Sequence, residues 1–282
     1  MPDIWGQAAI ITKVALYLGI LTAVGTILVA LVFRSEHYKP PAMIFAVLGL
    51  AASVLAFSLG GANLTGDIGG MTDPDMLGLL WSTSVGTALL CRVFGLGLLI
   101  AGLFLGRSGL WLSGIGGLAA LWSFPLVSHV STRDMALLDG ALVVHLGAVA
   151  FWIGILIPLR RLARSPAHWP DAADLGHRFG LVARGVIPAL ILAGVYLSYM
   201  LVGSVAALWG TGYGQALILK VALVAGLLGL GAANKLRFIP ALRAGDPHAA
   251  SHLSRSISVE CGVILSVMTV TAILTSTLAL PT

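Results

Sequence analysis

The sequence predicts an all-α integral membrane protein of about eight transmembrane helices. Three observations carry that prediction. Only 10% of the 282 residues are charged, where a soluble domain carries about 25%. Mean hydropathy is +1.00, and the apolar residues gather in long runs, about 20 residues being enough to cross a bilayer core. The runs lack the period-two alternation of a membrane barrel. In hydrocarbon the backbone must bond to itself, so such runs form helices.

The elements follow in chain order. The first helix, 7–33, is a long apolar run without the basic leader of a cleavable signal. Pro40 and Pro41 open the second, 41–60. A glycine-rich connector over 60–70, holding Asn63 and Asp67, and then Asp73-Pro74-Asp75 lead to the third, 77–105. The fourth, 109–128, ends at His129. The fifth, 137–159, and sixth, 181–205, flank an arginine-rich loop. The seventh, 213–234, and eighth, 257–279, are separated by a loop that Pro240 and Pro247 punctuate. Cys91 and Cys261 fall in different helices, which supports neither a disulfide framework nor a CxxC metal site.

Charge sets the expected orientation. The loops after helices one, three, five and seven carry Arg34, Lys39, Arg107, Arg160, Arg161, Arg164, Arg178, Arg184, Lys235, Arg237, Arg243 and Arg255. The opposite loops hold Arg133, with Asp67, Asp73, Asp75, Asp134 and Asp139. Lys and Arg accumulate on the cytoplasmic side, so both termini are expected on the periplasmic side. The net charge of +5 then reflects membrane orientation and not nucleic-acid binding.

The chain reads as one membrane domain, 1–282, with candidate repeat halves 1–135 and 136–282. Trp81, Thr83, Gly86, Ala88-Leu89, Arg92 and Val93 recur in register as Trp209, Thr211, Gly214, Ala216-Leu217, Lys220 and Val221. Tyr17-Leu18-Gly19 and His145-Leu146-Gly147 share the same offset. Two four-helix halves in parallel pseudo-symmetry would give this pattern, as in some transporters.

Candidate chemistry lies toward the outer end. His37, His168, His177, His248 and His252 fall in or beside the basic loops. His129 and His145 sit near the outer face, and polar side chains inside a membrane are functional candidates by default. Imidazole binds copper, zinc or haem iron, and thioether suits Cu(I). Met71, Met76, Met135 and Met200 project to the same end, though methionine is also a common apolar filler. Arg92 and Lys220 should point into the bundle, each about 16 Å deeper than its tryptophan. Asp139, Glu260, a helix carbonyl or a bound anion are their candidate partners. Trp152 shares the face of His145 and either walls a site or packs. No Walker P-loop, HExxH or GxSxG pattern occurs.

Four segments resemble the CopD (PcoD) copper-resistance membrane proteins. The stretch from His145-Leu146-Gly147 through Trp152 and Gly154 to Pro158-Leu159 is similar to that family's HLxAxxxWxGGLxPL segment, with Ile155 in place of the second glycine. Thr211 through Lys220 resembles TxYGxxLLxK, Asn234 through Leu242 resembles NRxxLxPxL, and Leu253 through Glu260 resembles LxRSVxxE. Ser128-His129 matches part of the family's SGHA segment. The resemblance implies a bacterial inner-membrane protein of copper homeostasis, moving copper inward beside a periplasmic copper-binding partner of the CopC type.

Two functional expectations follow. In the first, His129 and His145 capture copper, favoured as Cu(I), with Met71, Met76, Met135 or Met200 as auxiliary ligands. Glu260, near the inner end of the eighth helix, then releases or gates it. In the second, the histidines are axial ligands of a b-type haem whose propionates Arg92 and Lys220 neutralise, and the protein transfers electrons or oxidises Cu(I). A non-catalytic sensor or assembly partner is a third class.

Overall fold

The structure, a computed structural model, describes residues 4–35, 37–127 and 135–278, the side chains of Met135 and Pro247 excepted. Among them there is no strand, and eight segments are long and apolar enough to cross a membrane. The spans are built on α1 (Ile4–Phe33), α2 (Lys39–Thr65), α4 (Ser84–Phe104), α5 (Gly109–Trp122), α6 (Met135–Ala163), α7 (Trp169–Val202), α9 (Gly212–Ala233) and α11 (Pro247–Ser276). Three short helices complete the set: α3 (Pro74–Trp81), α8 (Val205–Gly210) and α10 (Ile239–Arg243).

The core is organised around α1. It packs on α2, α5, α6 and α11, and 78% of its apolar stretch is buried. Small residues make that possible, since helices in lipid gain most from close backbone approach. A Cβ on Gly19 would meet the backbone of Gly49 in α2, and one on Gly25 would overlap the Ala150 carbonyl in α6. Gly154 of α6 meets Gly25 in return. Helices α4 and α5 interlock similarly through Gly95, Gly102, Gly109 and Gly116. In the second half α7 packs on α6, and α9 on α11, while α7 and α9 touch sparingly. The span containing α9 has only 6% of its apolar stretch buried.

Several boundaries differ from the sequence expectation. The third helix does not begin at 77. The chain forms α3, breaks at Ser82 and Thr83, and starts α4 at Ser84. Thr83 caps α4 by accepting from the Val85 amide at 3.2 Å, and Asp73 caps α3 by accepting from the Asp75 amide at 2.9 Å. The sixth helix begins at Trp169, with Pro170 in its first turn, and the eighth at Pro247. Asp246 accepts from the His248 amide at 2.8 Å, so Asp246-Pro247 is a helix start of cap plus N1 proline. The expected loop over 235–256 is therefore mostly helical: a π-helical turn, Asn234–Phe238, then α10, then the first turns of α11. Part of the expected outer connector is helical too, α2 running to Thr65 before Gly66 ends it at φ +73°.

The segments Trp81–Val93 and Trp209–Val221 adopt one local structure. Each has a short helix ending near tryptophan, a threonine N-cap and a transmembrane helix. Thr211 accepts from the Gly214 amide at 3.0 Å. Gly86 and Gly214 each lie against the backbone of the preceding short helix, where a Cβ would overlap it. The tryptophans belong to separate short helices, and Arg92 and Lys220 lie about 12 Å along their own helices from the first residue of each.

Candidate functional site

The polar interior of the second half is assembled by α6, α7, α9 and α11. Trp152 on α6 donates its indole N–H to Glu260 Oε2 on α11 at 3.0 Å. Asn234, where α9 passes into the π-helical turn, donates from Nδ2 to Glu260 Oε1. Glu260 is 1% exposed, and no cation pairs with it among the described residues. The carboxylate is thus held by two neutral donors from two other helices. Asn234 Oδ1 and, one turn before Glu260, Ser256 Oγ are buried without a hydrogen-bond partner among the described residues. Gly231 clears the space that the Trp152 ring fills, a Cβ there coming within 2.8 Å of the ring.

His145 lies two turns before Trp152, toward the end of the bundle where Lys13 of α1 meets Thr275 of α11. A carbonyl only accepts, so the 3.3 Å contact of Nδ1 with the Leu190 oxygen of α7 is an Nδ1–H donation. In the neutral ring that leaves the Nε2 lone pair available, the second-shell pattern of metal-binding histidines. Gly194, one turn beyond Leu190, leaves room for the imidazole, which a Cβ there would approach to 3.2 Å. Lys220 of α9 makes no hydrogen bond or ion pair with the described residues. Trp152 and His145 share one face of α6, about 10 Å apart along the axis. One seam therefore carries an imidazole toward that end and a carboxylate near the middle of α11.

Glu260 does not sit at the inner end of its helix as expected. Because α11 starts at Pro247, Glu260 lies near the middle of a 30-residue helix. Arg92 belongs to another cluster. Its Nε donates to Ser123 Oγ at 3.0 Å, and its guanidinium lies 5.5 Å from the centre of the Phe124 ring. Tyr17 stacks on the same Phe124 ring, with centroids 5.4 Å apart. Lys13 donates to the Thr275 carbonyl at 2.8 Å, tying α1 to the end of α11.

Of the remaining expected residues, His129 lies outside the described residues, as does the side chain of Met135. Met71 and Met76 sit in the connector and α3, which pack on α2, whereas Met200 is 40% exposed near the end of α7. Asp139 is half-buried in the second turn of α6 and forms no ion pair with Arg92 or Lys220. Among the described residues no three His, Cys, Asp or Glu side chains gather into a metal-holding group. Sequence reasoning did not single out Asn234 as a site residue. Its signal was present in the segment resembling NRxxLxPxL, and its role emerges only where it meets Glu260.

A family model described as "Copper resistance protein D" matches residues 173–274, and one described as "Copper resistance protein D-like, N-terminal domain" matches residues 1–137. Asn234, Lys220 and Glu260 lie inside the first match, while His145 and Trp152 lie between the two. A curated relative, "Copper transport protein CutJ" of Bacillus subtilis (strain 168), is 27% identical over 136 residues. That stretch is 47% of this chain and 24% of the relative, so the chain matches about a quarter of that protein's length. No solved structure matches the chain.

Proposed function

Because the chain belongs to the copper resistance protein D family, we propose that it is a copper permease of the bacterial inner membrane that takes the ion as Cu(I) at the periplasmic face. Both termini would lie on that face, with a CopC-type protein as the copper donor. The observation that carries this reading is the His145 imidazole, fixed through Nδ1 on the Leu190 carbonyl with Nε2 left to bind metal. His129 and the outer methionines, Met71, Met76, Met135 and Met200, are its proposed co-ligands. Thioether and neutral imidazole suit a soft monovalent ion. The copper names carried by both family models and by the Bacillus relative support the same cargo.

In this reading Glu260 is the inner station. A carboxyl held only by neutral donors has no cation to compensate its ionised form in a low-dielectric interior. A passing monovalent cation, or a proton, would compensate it. Trp152, bonded to Glu260 and sharing the His145 face, links the two stations. The matched local structures around Arg92 and Lys220 support a reading of the domain as two repeated halves, 1–135 and 136–282.

The test separates capture from passage. Purified protein is titrated with Cu(I) against a chromophoric chelator, and proteoliposomes are assayed for copper entry. His145→Ala is expected to weaken Cu(I) binding by at least tenfold. Glu260→Gln is expected to keep binding and lose entry. Wild-type binding in His145→Ala removes that residue from the site, and wild-type entry in Glu260→Gln removes the inner station.

A further inference from the structure

A further cavity lies at the opposite, basic end of the molecule. It has a volume of about 170 Å³ and opens between α7 and the segment formed by the π-helical turn and α10. His177, Arg184, Lys235 and Arg243 line it together with Leu181 and Leu236, and no Asp or Glu does. Its shape follows from sequence. Gly176 and Gly180, one turn apart on α7, present a flat face against which Ile239 and the Lys235 stem lie. Lys235 Nζ donates to the Gly180 carbonyl at 3.0 Å, which fixes one cation at the cavity wall. The π-helical turn carries Lys235 and Leu236 side by side into this wall.

We propose that this cavity binds the headgroup of an anionic glycerophospholipid from the leaflet at the basic end. The charged residues of its lining are all of one sign, which selects an anion over a cation. The apolar rim specifies where that anion comes from: Leu181 is 47% exposed and Leu236 is 74% exposed, both on spans that cross the bilayer. A free anion would meet these leucines with nothing to cover them. A phospholipid places its phosphate among Arg184, Arg243 and Lys235 and lays an acyl chain over Leu181 and Leu236. Basic recesses between transmembrane helices recognise acidic lipid headgroups in this way. The site is separate from the copper stations and does not depend on the copper reading.

The test uses the full-length protein in mild detergent, titrated with phosphatidylglycerol or phosphatidylcholine and read by native mass spectrometry. Phosphatidylglycerol is expected to form a discrete one-lipid adduct at concentrations where phosphatidylcholine forms little. R184Q/R243Q should weaken that adduct about tenfold or more, while R164Q/R255Q, which removes the same charge at equally exposed positions outside the cavity lining, should leave it unchanged. Equal loss in both pairs, or equal binding of the two lipids, overturns the proposal. Displacement of the lipid by millimolar inorganic phosphate would show a free-anion site and also overturn it. If R184Q/R243Q does not fold, Leu236→Asp at the exposed rim provides the second reading, with the same tenfold loss expected.

Discussion

At Glu260, a single buried oxygen pair decides how the second half tolerates change. Trp152 and Asn234 both donate to it, and Asn234 Oδ1 has no partner among the described residues. Glu260→Gln can be accommodated if the Asn234 amide turns: the glutamine oxygen takes the indole N–H and its NH₂ meets Asn234 Oδ1. That variant should unfold within about 1 kcal/mol of wild type, as followed by circular dichroism in detergent. Glu260→Leu leaves both donors unpaired, and each buried orphan costs about 1–3 kcal/mol, so it should be clearly less stable than the glutamine variant. Trp152→Phe removes one donor and should fall between them. Equal stability of the glutamine and leucine variants would show that these bonds contribute nothing to the fold.

Between whole helices, glycine placement separates contact from spacing. Gly25 and Gly154 bring α1 and α6 into backbone contact, whereas a Cβ on Gly97 or Gly226 meets nothing within 4 Å. Gly25→Ala and Gly154→Ala should each destabilise the protein by about 1–3 kcal/mol, the usual cost of overpacking. Gly97→Ala and Gly226→Ala should be neutral or slightly stabilising, because alanine favours helix over glycine. Detergent-solubilised yield and unfolding midpoint would report both. The caps offer a second comparison: Thr83→Ala and Thr211→Ala should each cost about 1 kcal/mol. Similar losses at both positions are expected because each threonine caps its helix through one amide bond, to Val85 and to Gly214.

For the molecule as a whole, the asymmetry of charge predicts how it sits in the membrane. With Cys91 and Cys261 replaced by alanine, single cysteines at Ser108 and Ser204 should react oppositely with a membrane-impermeant thiol reagent on intact spheroplasts. Ser204, on the end with the termini, should label, and Ser108 should stay protected until the membrane is opened. The reverse pattern would invert the proposed orientation and with it the side of copper capture. The same scale explains why the second half is the more open one. Its α9 span is scarcely buried and meets α7 sparingly, so the seam holding His145 and Glu260 is closed by fewer packed side chains than the core around α1.

The sequence by itself determined the fold class and the number of spans, because the cost of exposing backbone and charge to hydrocarbon leaves long apolar helices as the one solution. It also determined the family, since four ordered segments carried that resemblance along the chain. Helix starts at Trp169 and Pro247 were legible in principle from Pro170 and from Asp246-Pro247, but basic, half-polar turns hide such extensions from a reading based on apolar length. Only the tertiary structure decided which polar residues meet. Arg92 and Lys220 match in sequence, yet Arg92 goes to Ser123 and Phe124 while Lys220 makes no hydrogen bond or ion pair with the described residues. Glu260 finds Trp152 and Asn234, 108 and 26 residues away along the chain. Such partnerships depend on the rotation of each helix and on where glycine lets two backbones close, and neither quantity is written in the periodicity of one chain segment.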